Sequence, residues 1–318
     1  QLARVNAVTG VVTALRGSHA SAWEGDIVLG GRGREAEPAR RVVRARRVVL
    51  APGAAPRRPP QAMLSALAAG GAQLLEFDDA VAPHRLRQLL ARDPKRFAAK
   101  RFVVVGASHS GMLAARNAVT ICNATSVDVY NPGPVRLAEE RDGWIKLDGT
   151  GLKGDVREWA VEVLREQAAS KTDDETCDEG TNGRGAIGRV TVHPDAPRTG
   201  DAAADGTELA HRILAGGGGD WLVWATGFER QQDGSVPLPR VSWSGANLDL
   251  VSAAYDGRNG LISGTERLHG IGIAFPEWYT DPEGHTEPRV GYVNSLVEHV
   301  GRLIDHDSLA SKAVRQSS

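Results

Sequence analysis

The chain has 318 residues, a length that suits two domains of ordinary size. Hydrophobic residues make up 41% and charged residues 24%, the usual balance of a globular protein with an ample core. With 38 basic and 39 acidic residues the net charge is −1, so electrostatics give no reason to expect nucleic acid or an anionic membrane as a partner. Cys122 and Cys177 lie far apart and form neither a disulfide framework, a zinc site nor a C-x-x-C pair. No apolar run reaches the roughly 20 residues that cross a bilayer.

The amino-terminal segment is predicted to form short strands. Apolar residues between positions 5 and 15 surround a predicted Thr9–Gly10 turn. The segment 40–54 alternates apolar pairs with arginines and predicts one longer strand. Because the chain opens at Gln1 in strand-like sequence, without Met or a signal peptide, we expect an upstream segment to be missing. The compartment stays unassigned, with the cytoplasm as the default.

The middle of the chain predicts the beginning of a βαβ unit. A short helix ends near Pro94, and Phe102–Val105 is an apolar run before a Gly-containing turn. The segment 126–131 predicts a second strand. Between these strands, residues spaced by three, four and three positions share one helical face. They are Met112, Ala115, Val119 and Cys122.

The segment 139–154 is rich in glycine and is predicted to be a long loop, of the kind that is often functional or mobile. Asp155 is expected to cap the helix that follows, with Glu158 as its capping-box partner. Apolar residues then share one face of that helix. They are Val156, Trp159, Ala160 and Val163.

The carboxyl-terminal half alternates polar segments with regular elements. We expect a surface excursion at 168–188, because this stretch is polar and rich in glycine. Strands are predicted at 189–193 and 220–228, and a last helix at 291–304. The segment 208–214, between the two strands, is expected to be a short element of uncertain type.

The turn Gly106-Ala107-Ser108-His109-Ser110-Gly111 matches the dinucleotide fingerprint G-x-G-x-x-G at its first and third glycines. Gly106 permits a tight turn, Ser108 is small enough for close approach to a diphosphate, and Gly111 lets helix and strand pack closely. Unpaired N–H groups at the helix start would supply the anion site. With strands on both sides, the hexapeptide predicts dinucleotide binding. The alternative is a turn of small residues that packs against a neighbouring element.

The end of the second strand indicates which nicotinamide cofactor is bound. An acidic residue there would bind the ribose hydroxyls of NAD, whereas an arginine suits the 2′-phosphate of NADP. Asp128 lies inside the strand, and the strand ends at Tyr130-Asn131-Pro132 with Arg136 just beyond. NADP is therefore favoured over NAD, and Arg136 is a candidate cofactor-binding residue.

Two other motifs fit the sequence less well. A hydrolase elbow requires G-x-S-x-G, but centring it on Ser108 or on Ser110 places a serine at a glycine position. The segment 149–154 resembles a P-loop only superficially, because Lys153 precedes glycine and not serine or threonine. Lys153 is therefore expected in solvent. His109 is expected over the cofactor or in solvent, with a role as catalytic base as the alternative.

Two segments share one design. Residues 46–56 and 220–230 each contain an apolar strand, a small residue, a glycine and a turn. Two such strand ends suggest two dinucleotide-binding folds with exchanged connections. Cys122, Trp221 and Trp224 are expected to serve in packing.

Three segments carry a resemblance to a known superfamily. "VVLAPGAAPRRPP" at 48–60 resembles the exit from the FAD domain of flavoproteins with two dinucleotide folds. "VVVGASHSGMLAARN" at 103–117 resembles the NAD(P)H fingerprint of their inserted domain, and "LVWATGFER" at 222–230 resembles the return strand of flavin-containing monooxygenases. Their order is that of the FAD/NAD(P)-binding, pyridine-nucleotide-disulfide-oxidoreductase-like superfamily. The GASHSG turn and "DGWIKLDGTGLKG" at 142–154 are similar to those of a poorly characterised group within it.

The resemblance implies a set of cofactor-binding positions. They lie in the NAD(P)H turn, in the return strand, in the first exit turn, and, by a looser match, in the segments 270–277 and 287–292. In that order the positions are Gly106, Ser108, Ser110 and Gly111; Thr226 and Gly227; Ala51 and Gly53; and Gly272 and Gly291.

The chain departs from the superfamily pattern at two points. The superfamily opens with a strand–GxGxxG–helix unit that holds the FAD diphosphate, and none precedes Leu2. This predicts an FAD domain that is incomplete at its amino terminus. The C-x-x-C pair of the disulfide reductases is also absent from the sequence, which excludes dithiol chemistry.

These observations predict an α/β fold with two dinucleotide-binding, Rossmann-like domains. The NAD(P) domain, residues 98–227, is inserted in an incomplete FAD domain formed by residues 1–97 and 228–318. The expected function is an NAD(P)H-dependent FAD oxidoreductase, monooxygenase-like, that transfers hydride from nicotinamide to flavin and acts on a small molecule. The alternative is a non-catalytic nucleotide-binding protein, or a fragment that binds NAD(P) but not FAD. An unrelated Rossmann enzyme, such as a methyltransferase, would leave the second strand-end motif unexplained.

Overall fold

The structure, a computed structural model, describes residues 10–19, 21–29, 39–172, 189–197, 202–230 and 238–289. It forms two compact units. The central unit is Pro56–Gly227, and the flanking unit combines Gln1–Ala55 with Phe228–Ser318. The central unit is thus inserted, along the chain, between the two segments of the flanking unit.

The elements alternate between strand and helix through most of the central unit. In chain order they are β1 Gly10–Ser18, β2 Ser21–Leu29, β3 Arg40–Ala45, β4 Val48–Leu50, β5 Ala55–Pro56, α1 Gln61–Ala69, β6 Gln73–Leu74, α2 Phe77–Val81, α3 Pro83–Arg92, β7 Arg101–Val105, α4 His109–Thr120, β8 Ser126–Tyr130, β9 Glu139–Arg141, β10 Trp144–Lys146, α5 Gly154–Thr172, β11 Val190–His193, α6 Ala202–Ala215, β12 Trp221–Trp224, β13 Phe228–Glu229, β14 Arg240–Trp243, β15 Ala246–Leu248, β16 Leu268–Gly270, β17 Glu277–Thr280 and β18 Thr286–Arg289.

The central unit is built on a five-stranded parallel sheet in the order β11-β8-β7-β12-β6. The chain runs outward from β7 through β8 to β11 and then returns to β12 on the other side of β7. The switch point of the sheet therefore lies between β7 and β12, and ligands of open α/β sheets bind outside the carboxyl ends of the strands at this point. β7 is buried from Phe102 onward, which matches a sheet covered on both faces.

Two apolar clusters cover the faces of this sheet. On one face α4 contributes the predicted stripe, with Met112, Ala115, Val119 and the following Cys122 all buried. α5 adds Val156, Ala160 and Val163 to the same cluster, also as predicted. On the other face α1 packs with α6 around Met63 and Ile213.

The segment 56–97 lies in the central unit and not in the first domain, to which the sequence pattern points. The reason is β6, whose two residues extend the parallel sheet beside β12. Gln73 N donates to the Asp220 carbonyl at 2.9 Å, and Leu75 N donates to the Leu222 carbonyl at 2.8 Å. Such a short strand carries little periodic signal.

Two predictions around residue 150 are wrong. The segment 139–154 is not a featureless loop, because β9 and β10 pair as an antiparallel hairpin and Leu137 bridges Leu152. Helix α5 begins at Gly154, which places Asp155 inside its first turn and not at the cap. The Asp155 carboxylate is engaged by Arg116 at 2.7 Å.

The flanking unit contains a five-stranded sheet in the order β15-β14-β1-β2-β3, antiparallel except for the β1–β14 pair. Its inner face buries Leu15, Trp23 and Trp243. Strand β4 pairs separately and in parallel with β16. The segment 40–54 thus forms two strands and not one, because β3 and β4 have different partners on either side of Arg46–Arg47.

The prediction of a turn at Thr9–Gly10 is also wrong for Gly10, the one of these two residues that the structure describes. Gly10 begins β1 and pairs with Leu29. The helix predicted at 291–304 and most of the excursion predicted at 168–188 fall outside the described residues. Within the described ranges, no helix is both long enough and apolar enough to cross a membrane.

Candidate dinucleotide-binding site

The predicted Gly-rich turn lies at the switch point of the central sheet. β7 ends at Val105, and Gly106 follows with φ of +104°, a left-handed conformation that favours glycine. Its N–H donates to the Tyr130 carbonyl at the end of β8, at 2.8 Å. The turn is therefore anchored to the carboxyl end of the neighbouring strand.

Two glycines of the turn occupy positions without room for a side chain. A Cβ on Gly106 would lie 2.4 Å from the Ala225 carbonyl oxygen, on the turn that follows β12. A Cβ on Gly111 would lie 1.9 Å from the Gly106 carbonyl oxygen. The first glycine brings the ends of β7 and β12 together, and the second seats α4 directly on the turn.

Helix α4 presents its amino terminus at this edge. It begins at His109, and its first intrahelical hydrogen bond runs from Met112 N to the Ser108 carbonyl at 2.9 Å. The N–H groups of His109, Ser110 and Gly111 therefore have no intrahelical acceptor. Ser108 occupies the N-cap position with extended backbone, and its hydroxyl does not cap the helix. Ser108 and His109 are exposed. These amides, together with the positive end of the helix dipole, form a local environment that attracts an anion.

The Ala107 amide is already engaged within the protein. It donates to the side-chain oxygen of Asn131, the residue after β8, at 3.1 Å. The side-chain nitrogen of Asn131 donates in turn to the Gly133 carbonyl at 2.7 Å. The backbone N–H groups of the turn that could bind a ligand therefore begin at Ser108.

The pKa of His109 is lowered from its ordinary 6.5, chiefly because surrounding protein atoms desolvate the imidazole. The nearby Asp155 carboxylate favours the protonated ring, whereas the Arg116 and Lys153 cations oppose it. Arg116 binds Asp155 at 2.7 Å and in doing so lowers the pKa of that carboxyl. The imidazole of His109 is consequently neutral near pH 7, and two cations and one carboxylate lie near it.

Other predicted residues lie at the same edge of the sheet. Thr226 and Gly227 follow β12 directly, and the Thr226 amide nitrogen would be 3.5 Å from a Cβ on Gly106. Thr226 is exposed, and Gly227 has φ of +104°. Arg136 lies in the segment after β8, with its side chain exposed and its carbonyl accepting from Leu152 N at 2.9 Å.

The candidate cofactor-binding residues of the flanking unit also lie at one edge of a sheet. Ala51 follows β4 and Gly272 comes two residues after β16, and these two strands pair in parallel up to Leu50 and Gly270. Gly53 and Gly272 have φ of +72° and +79°. Ala51 and Gly53 are exposed. Gly291 lies outside the described residues.

Two expectations about individual side chains have different outcomes. Lys153 was expected in solvent, but its ammonium contacts the Asp148 carboxylate and is partly buried. Trp221 is buried against Phe97, and Trp224 packs against the second apolar cluster, as predicted.

Sequence reasoning missed Asn131 and Ala225 as parts of the site. Asn131 was visible only as an uncharged residue at a strand end, and its contact with Ala107 joins positions 24 residues apart. Ala225 was visible as the small residue before Thr226. Its carbonyl faces Gly106 only because β12 returns beside β7.

No known protein-family profile matches the chain. Among curated proteins, the chain is similar to Monooxygenase AgnR1 of Paecilomyces divaricatus, with 30% identity over 229 residues. The aligned part is 69% of this chain and 50% of that protein, so the chain spans about half the length of the curated relative it matches.

Solved structures give weaker similarities. One is the cadaverine monooxygenase DfoA of Erwinia amylovora bound to FAD, at 11% identity and a TM-score of 0.46, over 83% of this chain and 62% of that one. Another is an NAD-dependent persulfide reductase of A. fulgidus, at 16% identity and a TM-score of 0.44, over 88% and 41% of the two chains.

The homologous segment accounts for more than two thirds of this chain, and the central unit has the parallel sheet and glycine turn that the resemblance predicted. The predicted likeness to monooxygenases is confirmed at the level of sequence, because the chain is a homologue of a monooxygenase over the aligned part.

Proposed function

We propose that this chain is the nucleotide-binding part of an NAD(P)H-dependent FAD oxidoreductase of the monooxygenase type. The observation that carries the proposal is the glycine turn at the β7–β12 switch point, with the amino terminus of α4 directly behind it. The homology to a monooxygenase supports the reaction class.

The central unit would bind the nicotinamide dinucleotide. The amides of His109, Ser110 and Gly111 would donate to the diphosphate, and the missing side chains at Gly106 and Gly111 let the turn approach it closely. The exposed Ser108 and His109 side chains would flank the phosphates.

The remaining candidates of the central unit would flank the diphosphate on either side. Arg136, after the second strand, would face the adenosine ribose, and a cation there suits the 2′-phosphate of NADP. Thr226 and Gly227 would border the dinucleotide beside Gly106, at the end of β12.

The flanking unit would contact FAD. Ala51, Gly53 and Gly272 lie at the carboxyl ends of the parallel pair β4–β16, the edge at which such sheets bind nucleotides. Gly291 is the fourth candidate there. When bound, the nicotinamide would supply a hydride and the flavin would accept it at N5.

A thiol role for the described cysteine is disfavoured. Burial raises the pKa of Cys122 to about 12, so its thiolate is scarce at neutral pH. The sequence contains no C-x-x-C pair either. Both observations favour direct transfer between the two cofactors over a dithiol relay.

Anaerobic rapid mixing tests the proposal. The full-length protein should purify with the absorbance band of oxidised flavin, and NADPH should bleach this band in the absence of oxygen. A flavin band that NADPH and NADH both leave unchanged would contradict it.

The alternative is a nucleotide-binding protein without catalytic activity, and the same preparation distinguishes it. A colourless full-length protein that still binds NADPH in calorimetry would favour this alternative. The glycine turn at the switch point is compatible with this alternative, because the turn would bind a diphosphate whether or not a reaction follows.

A further inference from the structure

Strand β3 lies at one edge of the sheet in the flanking unit. It pairs with β2 on one side, and in the described part of the chain no strand pairs with its other side. Its residues from Arg40 to Arg44 are all exposed, including Val42 at 58% and Val43 at 40%. An edge of this kind offers unpaired backbone groups to another extended segment.

The register shows which backbone groups of β3 are unpaired. Leu29 N donates to the Ala39 carbonyl at 2.9 Å, and the next pair in the antiparallel ladder is Val28 with Arg40. Because hydrogen-bonded and non-hydrogen-bonded pairs alternate in such a ladder, every second residue from Arg40 onward turns its N–H and C=O groups away from β2. These outward residues are Arg40, Val42 and Arg44.

The side chains of the three outward residues lie on the outer face of the sheet. Trp23 is buried on the inner face, and its partner Ala45 shares that face. Since side chains alternate along a strand, those of the outward residues point the other way. A segment that pairs with this edge would therefore meet two guanidinium groups, one on each side of a valine.

The strands of this sheet carry more cations than carboxylates. Their two carboxylates both have arginine partners, since Arg16 binds Asp26 at 2.7 Å and Arg44 binds Glu24 at 2.8 Å. Three further arginines have no carboxylate of a described residue within ion-pair distance. They are Arg40, Arg41 and Arg240.

Carboxylates next to the sheet do not cancel this excess. Asp249 accepts from the Ser252 hydroxyl at 2.7 Å, and Glu266 contacts His19 at 2.7 Å. In the sequence, the segment 30–38 adds two arginines and two glutamates, hence no net charge. The edge at β3 therefore has an excess of positive charge.

The arginines decide which kind of segment fits this edge. A second copy of β3 paired about Val42 would place Arg40 opposite Arg44, and like charges directly opposite each other are destabilising. Glutamate or aspartate at the same positions would instead form oppositely charged cross-strand pairs. The edge is therefore suited to an acidic segment and unsuited to a copy of itself.

We propose that β3 is a docking edge for an extended acidic segment of a partner protein. The segment would add to the sheet as a further strand, with its backbone bonded to the outward residues. Its pattern would be acidic–x–apolar–x–acidic, so that carboxylates face Arg40 and Arg44 and an apolar side chain faces Val42. The inference concerns the flanking unit alone and is independent of the nucleotide site.

A peptide titration tests the proposal on the whole chain. The probe is the capped peptide Thr-Glu-Thr-Val-Thr-Glu-Thr, and its control is the same peptide with both glutamates replaced by lysine. We expect the glutamate peptide to bind at least about tenfold more tightly at low salt, and to weaken as salt is added. Equal affinity of the two peptides would show that charge does not select the partner.

Amide hydrogen exchange distinguishes edge pairing from adsorption by charge. The bound peptide should slow exchange at the outward residues and leave Arg41 and Val43 unchanged, because those two amides are already bonded to β2. Peptide binding without this pattern would overturn the proposal. Slow exchange at the outward residues in the free chain would show that another part of the chain covers the edge, and would overturn it too.

Two variants act on the backbone and on the charge separately. Val42→Pro removes one outward N–H and leaves the bonds to β2 in place, so the glutamate peptide should bind about fivefold more weakly or worse. Arg40→Glu should reverse the preference between the two peptides, and it carries the test if Val42→Pro does not fold. Arg87→Glu, at an exposed position of α3, is the matched control and should leave both affinities unchanged.

Two further outcomes would contradict the proposal. Self-association that Val42→Pro abolishes would assign the edge to a second copy of the chain. Binding of a single-stranded oligonucleotide, but not of the glutamate peptide, in a manner that Arg40→Glu abolishes would assign the arginines to a nucleic acid.

Discussion

Ser108 is the residue at which helix stability and anion binding can be separated. It occupies the N-cap position of α4 without using its hydroxyl as a cap. Aspartate is as good an N-cap as serine, and its charge also interacts favourably with the helix dipole. The same carboxylate would repel a diphosphate that approaches the helix amides. At this one position, therefore, folding and nucleotide binding should respond with opposite signs.

We predict that Ser108→Asp keeps or raises the melting temperature while it weakens NADPH binding by about tenfold or more. Thermal unfolding and titration calorimetry on the same preparation provide the two measurements. Ser65→Asp is the matched control, since Ser65 is exposed on α1 of the same unit, and it should leave binding unchanged. Equal affinity of Ser108→Asp and the unmodified chain would count against the turn as the diphosphate site.

The protonation of His109 should make nucleotide binding depend on pH. Its pKa is lowered in the free protein by desolvation, and a bound diphosphate would favour the imidazolium and raise that pKa again. Affinity for ADP-ribose should therefore increase as the pH falls from about 8 to about 5, and level off below the pKa of the free protein. ADP-ribose is the suitable ligand because it lacks the 2′-phosphate, which titrates near the same pH.

The variant His109→Gln serves as the control for this titration. It keeps a polar side chain at the position but cannot gain a proton, so the affinity should be flat over the same range. A slope that persists in this variant would assign the proton uptake to another group.

Among elements, β7 depends on an interaction at its amino-terminal end. The Asp220 carboxylate accepts from Arg101 N at 2.9 Å and from Lys100 Nζ at 3.0 Å. The backbone hydrogen bond from Arg101 is the main reason that the pKa of Asp220 is lowered, and Lys100 adds to the effect. Because β7 supplies the glycine turn at its other end, this anchor supports the site indirectly.

We predict that Asp220→Asn lowers the free energy of unfolding by about 1 kcal/mol at pH 7, a small value because the carboxylate is partly exposed. A lowered pKa means that the stabilisation is complete above the unfolded value near 3.9 and is lost as the pH falls through the folded value. The difference between variant and unmodified chain in urea titrations should therefore shrink as the pH falls below about 4. Asp142→Asn, at the exposed tip of the β9–β10 hairpin, serves as the control variant.

How far sequence predicts an element depends on how local its interactions are. The strand at Phe102–Val105 and the apolar stripe of α4 could be predicted because the pattern that buries them lies within about 20 residues. The break at Arg46–Arg47 could not, because β4 pairs with Leu268, more than 200 residues away. The β9–β10 hairpin was missed because its six residues are mainly polar or exposed.

The same reasoning applies to the candidate site. The turn from Gly106 to Gly111 is contiguous, so its glycines and its helix start were readable as a motif. The contributions of Asn131 and Ala225 depend on β8 and β12 lying on either side of β7, which is a property of the sheet order. The glycines were thus predictable as a turn, but their close contact with Ala225 was not.

For the whole molecule, the two units have separate cores, which predicts separate responses to ligand. The clusters around Met112 and Met63 belong to the central unit, and the cluster around Trp23 belongs to the flanking unit. The ligand ADP-ribose 2′-phosphate, at a concentration of about 100 times its dissociation constant, should stabilise the central unit by about 2.7 kcal/mol. Scanning calorimetry should then show one unfolding transition shifted upward by several degrees and another unchanged. A common shift of the whole profile would show that the units unfold together.

The burial of Cys122 gives this chain an internal reporter of unfolding. A thiol with a pKa near 12, packed beneath α4, reacts with alkylating reagents only when the central unit opens. In a Cys177→Ser background, the rate at which iodoacetamide modifies Cys122 would therefore measure how often the nucleotide-binding unit exposes its interior, without any cofactor or added dye.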